Sequence, residues 1–323
     1  MFEFRSVFAP LIHDFIRFRL ASQKWNDTYE SNLGYFDQHC AANYPDETAL
    51  SQEMVDSWCR KRVSETNNSC RARIFVIVAF IKYLRKRGFV SIIPPAPPRG
   101  ERCIYIPHAF TQDELKRFFH ECDSLTVHNN RKADRARKIT VPVFFRLLYS
   151  SGIRTNEARM LKRPDIDLET GVMSIRNSKG DDQHFNVLHD SMLELMRVYD
   201  QAIKGLYPDR LYFFPAGSNG YHKNGWVIYN FDKLWGAANP SHATAYDVRH
   251  HYAIKNINKW IDDGFDFFDK LVYLSKSMGH KNIENTKYYY SLVPAMANIL
   301  RNTSEDGFND LIPEVPEDEE EQC

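Results

Sequence analysis

Three consecutive tyrosines, Tyr288 to Tyr290, follow the pair Gly279-His280 in the segment MGHKNIENTKYYYSL near the end of the chain. A tyrosine at such a place is either a packing residue of an amphipathic helix or a nucleophile, since its oxygen can form a covalent intermediate. Successive residues of a helix point about 100° apart. At most one of the three phenols can therefore face a given reaction centre.

Four other side chains have the chemistry to hold a phosphate. Arg154 follows SSGI at a predicted helix start and Arg249 lies in the predicted helix TAYDVRHHYA; a planar guanidinium can grip two phosphate oxygens. Lys179 lies in the polar turn NSKGDD, and His280 at a helix end. Taken singly, each has an ordinary alternative as a surface or core residue. Their order and spacing, taken together, favour a shared role over four separate ordinary ones.

These segments resemble the sequence boxes of the tyrosine recombinase (lambda-integrase) family. The first box reads LLYSSGIRTNEARMLKRPDIDLE, with Arg154 at the family arginine and Glu157 at the usual acid. The remaining boxes align the hairpin lysine Lys179, the HxxR segment Tyr246 to Arg249, and His280, Thr286 and Tyr289 of MGHKNIENTKYYY. The resemblance extends from about Val7 to Leu300. It implies that Tyr289 is the nucleophile and that Tyr288 and Tyr290 serve packing or DNA contacts.

The resemblance also implies a mechanism without metal, ATP or other cofactor. The phenolate of Tyr289 attacks a DNA phosphate, the 5′ oxygen leaves, and the resulting 3′-phosphotyrosine is resolved by a 5′ hydroxyl of a second strand. Arg154 and Arg249 would neutralise the developing charge. Lys179 would protonate the leaving oxygen, and His280 would donate a hydrogen bond to the phosphate.

One position departs from the family pattern. The family places His, sometimes Lys, three residues before the second arginine, and this chain has Tyr246. A phenol can donate a hydrogen bond to a phosphate oxygen, but it is neutral at pH 7 and adds no positive charge. We predict that Tyr246 orients a phosphate oxygen. His242, His250 and His251 are candidates for replacing the missing imidazole, and each also has a structural interpretation.

The elements that must position these residues form two blocks. The segment Ser91–Pro107, SIIPPAPPRGERCIYIP, predicts a stiff connector because its prolines favour extended backbone. Four helical patterns precede it, at about Val7–Ser22, Thr28–Ala42, Ser51–Glu65 and Ser69–Arg87. We predict an all-α domain in residues 1–92, like the core-binding domain of the family, and a linker in residues 93–108.

The second block is predicted to be α+β. It has a capping box at Thr111–Glu114, an apolar helix in VPVFFRLLYSSG, a short helix in TNEARMLK, and strands in DIDLE, VMSIRN and HFNVL. The fold class is therefore mainly α with a small antiparallel sheet, and residues 109–303 form the catalytic domain. Residues 304–323 form an acidic tail, predicted to be disordered.

The zero net charge conceals an uneven distribution. Nine of the 42 acidic residues follow Arg301, so the preceding part holds 42 basic residues against 33 acidic ones. A basic body favours a polyanion as partner. The cations predicted to contact DNA in the first domain are Arg60, Lys61, Arg62, Arg71 and Arg73, with a solvated helix face as the alternative. The tail is either a solubilising segment or a competitor of DNA.

No apolar run is long enough to cross a membrane, the N-terminus lacks signal-peptide features, and the six cysteines lack zinc spacing. We expect a cytoplasmic, nucleoid-associated protein. The resemblance implies a homotetramer on double-stranded DNA with a specific core site, aided by an excisionase or host factor. The apolar segment Leu292–Leu300 would be exchanged between subunits or packed within one.

The biological role stays open between several classes. The resemblance favours integration, excision or transposition of a mobile element. The alternatives are Xer-type dimer resolution, a DNA-binding relative that has lost its chemistry because of Tyr246, and a type IB topoisomerase, which would relax supercoils without site preference.

Overall fold

The computed structural model describes residues 2–25, 27–101, 105–127, 131–176, 183–259 and 266–290. The chain divides into two compact units, Met1–Tyr105 and Ile106–Cys323. The described part is mainly helical with one small two-stranded antiparallel sheet, which confirms the predicted fold class. Lys179, the segment Leu292–Leu300 and the acidic tail lie outside the described residues.

Helices pack around an aromatic core in the first unit. Their bounds are α1 Ala9–Ala21, α2 Asp27–Asn43, α3 Gln52–Cys59 and α4 Asn67–Lys86. Phe15, Phe36, Trp58 and Phe80 lie in this core. Side-chain caps set two of the starts, because Ser51 accepts the amide of Met54 and Thr66 accepts the amide of Ser69.

The predicted helix Ser51–Glu65 is wrong in its second half, because the chain leaves helical geometry at Arg60 with φ −59° and ψ 133°. A buried arginine on α4 holds the extended part. Arg73 donates from Nε and Nη2 to the two carboxylate oxygens of Glu65, at 2.9 and 2.7 Å. It also donates to the carbonyl oxygens of Trp58 and Arg60. These bonds fasten residues 58–65 to α4.

This network corrects the prediction that Arg73 contacts DNA. The residue is only 5% exposed and its guanidinium is engaged inside the unit, 5.2 Å from the Trp58 ring centroid. Arg73 therefore stabilises the first unit and is not available to a phosphate.

Changing Glu65 to Gln should destabilise the first unit by about 3 kcal/mol at pH 7, because it leaves the buried Arg73 without a counter-charge. The hydrogen bond from Arg73 lowers the pKa of Glu65 to about 2. A carboxylate whose folded-state pKa is depressed stabilises the fold above its unfolded pKa, and this contribution is lost as the pH falls towards 2. Hydrogen exchange of the α4 amides at pH 7 and pH 3 measures both effects.

The exposed Glu53 on α3 provides the matched control. Glu53→Gln should leave α4 exchange unchanged at both pH values. If Glu65→Gln behaved like Glu53→Gln at pH 7, the structural role assigned to Arg73 would be wrong.

The second unit builds its helices around a larger core that includes Phe118, Phe144, Phe145 and Phe231. The element bounds are α5 Gln112–Asp123, α6 Lys132–Ser151, α7 Thr155–Arg159, a 3-10 turn Arg163–Asp165, β1 Val172–Ile175, β2 His184–Val187, α8 Asp190–Lys204, α9 Asn224–Ala238, α10 Asp247–Lys259, α11 Asp266–Ser277 and α12 Glu284–Tyr290. The predicted capping box is confirmed, because Thr111 and Glu114 exchange hydrogen bonds at the start of α5.

The sheet has fewer strands than predicted. β1 pairs antiparallel with β2 in the register Val172↔Val187 to Ile175↔His184. The predicted strand DIDLE is wrong, since Ile166 makes only a single bridge to Met173. Asp167 folds the chain back by accepting bonds from the Glu169 amide and the Thr170 hydroxyl. This Asp-centred turn competes with strand pairing.

Candidate active site

One pocket in the second unit collects four of the predicted site residues. It has a volume of about 570 Å³ and is lined by Arg154, Tyr246, Gly279, His280, Lys281, Asn282, Asn285 and Tyr289. A fifth predicted residue, Arg249, contacts His280 from its buried side. Five of the six predicted site residues thus gather around one pocket, and the sixth, Lys179, is not described.

Arg154 is fixed at the start of α7 by a buried acid. Its Nη1 donates to Glu157 Oε1 at 2.5 Å, its backbone amide donates to Oε2 at 2.8 Å, and its Nη2 donates to the carbonyl of Gly279 at 2.7 Å. Burial alone would raise the pKa of Glu157, but the hydrogen bonds from Arg154 hold the pKa below its usual value. Glu157 is therefore ionised, and the guanidinium is oriented at the pocket wall.

Arg249 is buried behind the pocket wall, where backbone carbonyls hold its guanidinium. It is 2% exposed, and its Nη1 and Nη2 donate to the carbonyls of Gly152 and Met278, both at 2.7 Å. Gly152 ends α6 with φ +64°, and a Cβ there would lie 2.2 Å from the Tyr252 ring. Glycine is therefore required for the turn that presents its carbonyl to Arg249. Burial and the charge of Arg154 lower the pKa of Arg249, but a guanidinium stays charged.

His280 follows a second required glycine. Gly279 has φ +62°, and a Cβ there would lie 2.5 Å from the His184 ring. Nε2 of His280 is 3.0 Å from Nη2 of Arg249, which can only donate, and Nδ1 is 2.7 Å from Thr286 Oγ1. The proton therefore resides on Nδ1. Burial and the charge of Arg249 lower the pKa of His280 to about 4, so the ring is neutral at pH 7.

Tyr289 belongs to the packed interface of α10, α11 and α12. It is 4% exposed, whereas Tyr288 is 39% exposed, as expected for neighbours on a helix. The Tyr289 ring stacks on His280, with centroids 6.1 Å apart and planes at 16°. Burial raises the pKa of Tyr289 and the charge of Arg249 opposes the rise. Without DNA the hydroxyl is therefore protonated, and it needs help to become a nucleophile.

Tyr246, which stands where the family has an imidazole, lies on the rim just before α10 and is 43% exposed. The next residue, Asp247, is buried and accepts the amide and hydroxyl of Thr244, which fixes the start of this helix. The Tyr246 ring lies 5.0 Å from the His250 ring.

The three histidines that are candidates for replacing the missing imidazole have different surroundings in the structure. His242 is exposed and His251 stacks on Tyr149, whereas His250 lies 5.4 Å from Tyr289.

The basic residues predicted to contact DNA in the first unit occupy different surroundings. Arg60, Lys61 and Arg62 are exposed after α3, and Arg62 lies over the Trp58 ring at 4.8 Å. Arg71 is half-buried, donates to the carbonyl of Pro98 and lies over the Phe75 ring.

Several further residues of the site were not predicted from the sequence. Asn186 on β2 is buried and donates to the carbonyls of Ser151 and Ser277, which ties the sheet to the turns that hold both arginines. Asparagine in an alternating strand carries no signal of such a role. Lys281, Asn282 and Asn285 add polar groups to the pocket rim. They fall at variable positions of the GHxxxxxT pattern, where residue type alone gives no signal.

Within the described ranges, no trio of His, Cys, Asp or Glu side chains is arranged to bind a metal ion. Nor does any helix in those ranges combine the length and apolar character that crossing a membrane demands.

Comparison with known proteins supplies a family for these features. Residues 108–295 match the family model described as "Phage integrase family". The chain is 23% identical over 282 residues to the putative integrase/recombinase y4rB of Sinorhizobium fredii, with 83% of this chain and 88% of that protein covered.

Two solved structures share the fold. The XerH site-specific recombinase bound to its difH substrate, in a pre-cleavage complex, has a TM-score of 0.57 at 18% identity, covering 82% of this chain and 76% of that one. A lambda integrase tetramer bound to a Holliday junction has a TM-score of 0.56 at 15% identity, covering 85% and 77%. At such identities the likeness establishes the fold alone.

Proposed function

Because the chain belongs to the phage integrase family of tyrosine recombinases, we propose that it cuts and rejoins DNA strands at a specific site. One observation carries the proposal. Two arginines, a histidine and a buried tyrosine from four separate parts of the second unit converge on one pocket. A cleft with fixed cations and a buried phenol suits a phosphodiester, whose charge grows as it is attacked.

In the proposed cleavage step, the Tyr289 hydroxyl gives its proton to a water molecule and its oxygen bonds to the phosphorus, while the bond to the 5′ oxygen breaks. That oxygen takes a proton, which we assign to Lys179. The product is a 3′-phosphotyrosine, and a 5′ hydroxyl of another strand reverses the step on the new partner. One phosphoester replaces another, so the exchange balances without ATP.

The arginines would hold the non-bridging oxygens of that phosphate. Arg154 is positioned by Glu157 and Gly279, and Arg249 by two carbonyls, so little reorganisation is needed when DNA binds. His280 now accepts a bond from Arg249. A threonine hydroxyl can either accept or donate. Once Arg249 releases its bond to Nε2 and the proton moves there, Thr286 would donate to Nδ1 and Nε2 would donate to the phosphate.

Tyr246 would donate one hydrogen bond to a phosphate oxygen from the rim. It supplies no charge, so this site has one cation fewer than a site with a protonated imidazole at that position. Lys281, on the same rim, is a further cation near the phosphate.

We further propose that residues 1–92 form the core-binding domain and residues 109–303 the catalytic domain. DNA phosphates would be contacted by the exposed Arg60, Lys61 and Arg62 and by the half-buried Arg71. A similar fold occurs in a lambda integrase tetramer on a Holliday junction. We propose the same assembly here, four protomers on two duplexes, and a role in integration, excision or transposition of a mobile element.

Xer-type dimer resolution is the second candidate, favoured by the likeness to XerH. Either role predicts the same biochemical result. A plasmid with two direct copies of the recognition site, sought as inverted repeats beside the gene, should be resolved into two circles by the purified protein. Gel electrophoresis after restriction measures the products.

The control is the same plasmid with one site scrambled, which should stay intact. Relaxation of supercoils on both plasmids without exchange would instead support a topoisomerase. Tight, site-selective binding without covalent complex or exchange would support a DNA-binding protein that has lost its chemistry, and would contradict the proposed recombinase.

A further inference from the structure

The buried imidazole of His250 contacts the two tyrosines of the candidate site. His250 follows Arg249 on α10, and its ring centroid lies 5.0 Å from that of Tyr246, with the planes at 77°. The same ring lies 5.4 Å from Tyr289, with the planes at 56°. Both separations fall in the range of favourable edge-to-face contacts between aromatic rings. One side chain therefore touches both the rim phenol and the buried phenol.

The position on the helix explains this arrangement. Tyr246 directly precedes α10 and His250 follows it by four residues, which places the two side chains about one helical turn apart. Tyr289 comes from α12, which packs against α10 and also stacks its ring on His280. Imidazoles from two different elements thus restrict the Tyr289 ring.

Burial favours the neutral form of the His250 ring. Burial lowers its pKa, Arg249 lowers it further, and Asp247 opposes both. The hydroxyl-bearing rings of Tyr246 and Tyr289 also face it. A neutral imidazole packed against two phenols restricts their orientation by its shape and adds no charge to the site.

We propose that His250 is a positioning residue for strand cleavage, which aims the Tyr289 phenol and the Tyr246 hydroxyl at one phosphate. This inference rests on the proposed recombinase function. Tyr246 is a long, largely exposed side chain where the family has a shorter imidazole. A rigid buried ring beside it restricts where its hydroxyl can go. A displacement of about 1 Å of a reacting group can cost about 100-fold in rate.

The test compares three variants on a nicked suicide duplex, whose cleavage traps the covalent complex. His250→Ala removes the ring, His250→Phe keeps its shape, and His251→Ala is the matched control. His251 is the next residue on α10, but it packs against Phe110 and Tyr149, away from the pocket. We measure the single-turnover cleavage rate at saturating protein, the Kd for the duplex, and the Tm.

His250→Ala should slow cleavage by about 10- to 100-fold with Kd unchanged, and His250→Phe should stay within about three-fold of the wild-type rate because it preserves the ring packing. His251→Ala should cleave at the wild-type rate. If His250→Ala lowers the Tm more than His251→Ala does, His250→Leu, which fills the volume without a planar ring, takes its place and should show the same slow cleavage.

Equal cleavage by His250→Ala and His251→Ala would overturn the inference. So would a loss of DNA binding that accounts for the slower rate, or a His250→Phe variant as slow as His250→Ala at unchanged Tm. If the wild-type protein forms no covalent complex, the proposed function itself fails. That result differs from the others because every variant would then be inactive alike.

Discussion

Replacing Tyr289 with phenylalanine should abolish the covalent protein–DNA complex and lower strand cleavage by on the order of 10⁵-fold or more, as expected when a covalent nucleophile is removed. The substitution deletes only the hydroxyl. The ring is buried among the side chains of α10 and α11, so its packing should persist. Affinity for DNA should stay within about two-fold, because phosphate contacts by basic residues carry it. Denaturing gels of suicide-duplex reactions measure the complex.

Tyr288→Phe is the matched control for the same experiment. Tyr288 is the exposed neighbour of Tyr289 on α12, and its ring contacts that of Tyr289 at 5.7 Å. This variant should keep most of the cleavage activity. A covalent complex that survived in Tyr289→Phe and vanished in Tyr288→Phe would move the nucleophile by one residue and contradict the geometry described above.

Replacing Arg249 with lysine should reduce cleavage by about 10³-fold, which is the scale of losing a fixed donor to a developing negative charge. It should also destabilise the second unit by about 2 kcal/mol. One ammonium group cannot reproduce the planar fork that bonds Gly152, Met278 and His280 at the same time. Single-turnover rates and Tm values measure the two effects separately.

Arg197 offers a control with similar bonding far from the pocket. It donates to the carbonyls of Leu168 and Glu169, and so also links two backbone positions. Arg197→Lys should cost stability without slowing cleavage. If Arg249→Lys cleaved as fast as Arg197→Lys, Arg249 would be a structural residue only, and the proposed role in binding the phosphate would be wrong.

The arrangement of the candidate site residues depends partly on local signals that the sequence shows. Gly152 and Gly279 end helices, and the residues that follow them, Arg154 and His280, are aimed by those turns. Arg154 directly precedes α7, which carries Glu157, and His280 lies four residues before the start of α12, which carries Tyr289. Such short-range geometry can be predicted from residue type and position.

Long-range burial could not be predicted in the same way. Charged residues are almost always exposed unless paired, so Arg73 appeared to be one more cation on a basic helix edge. Only the return of residues 58–65 onto α4 brings Glu65 to it. The same contact ends α3 early, at Cys59. The error in the helix boundary and the error in the role of Arg73 therefore have one cause.

The surroundings of the three histidines near Tyr246 could be predicted only in part. Residue type does not distinguish His242, His250 and His251. The predicted helix does in part, since His250 lies in it one turn after Tyr246, whereas His242 precedes it. The contact of His250 with Tyr289 also depends on the packing of α12 against α10, which no local pattern gives.

The central claim is that the oxygen of Tyr289 bonds to a DNA phosphorus, and mass spectrometry of the trapped complex tests it most directly. After nuclease and trypsin digestion, the peptide from Tyr288 to Arg301 should carry a 3′-linked nucleotide. Fragmentation should place that nucleotide on the second of its three tyrosines, Tyr289. A nucleotide on Tyr288, on Tyr290 or on a residue outside this peptide would contradict the account.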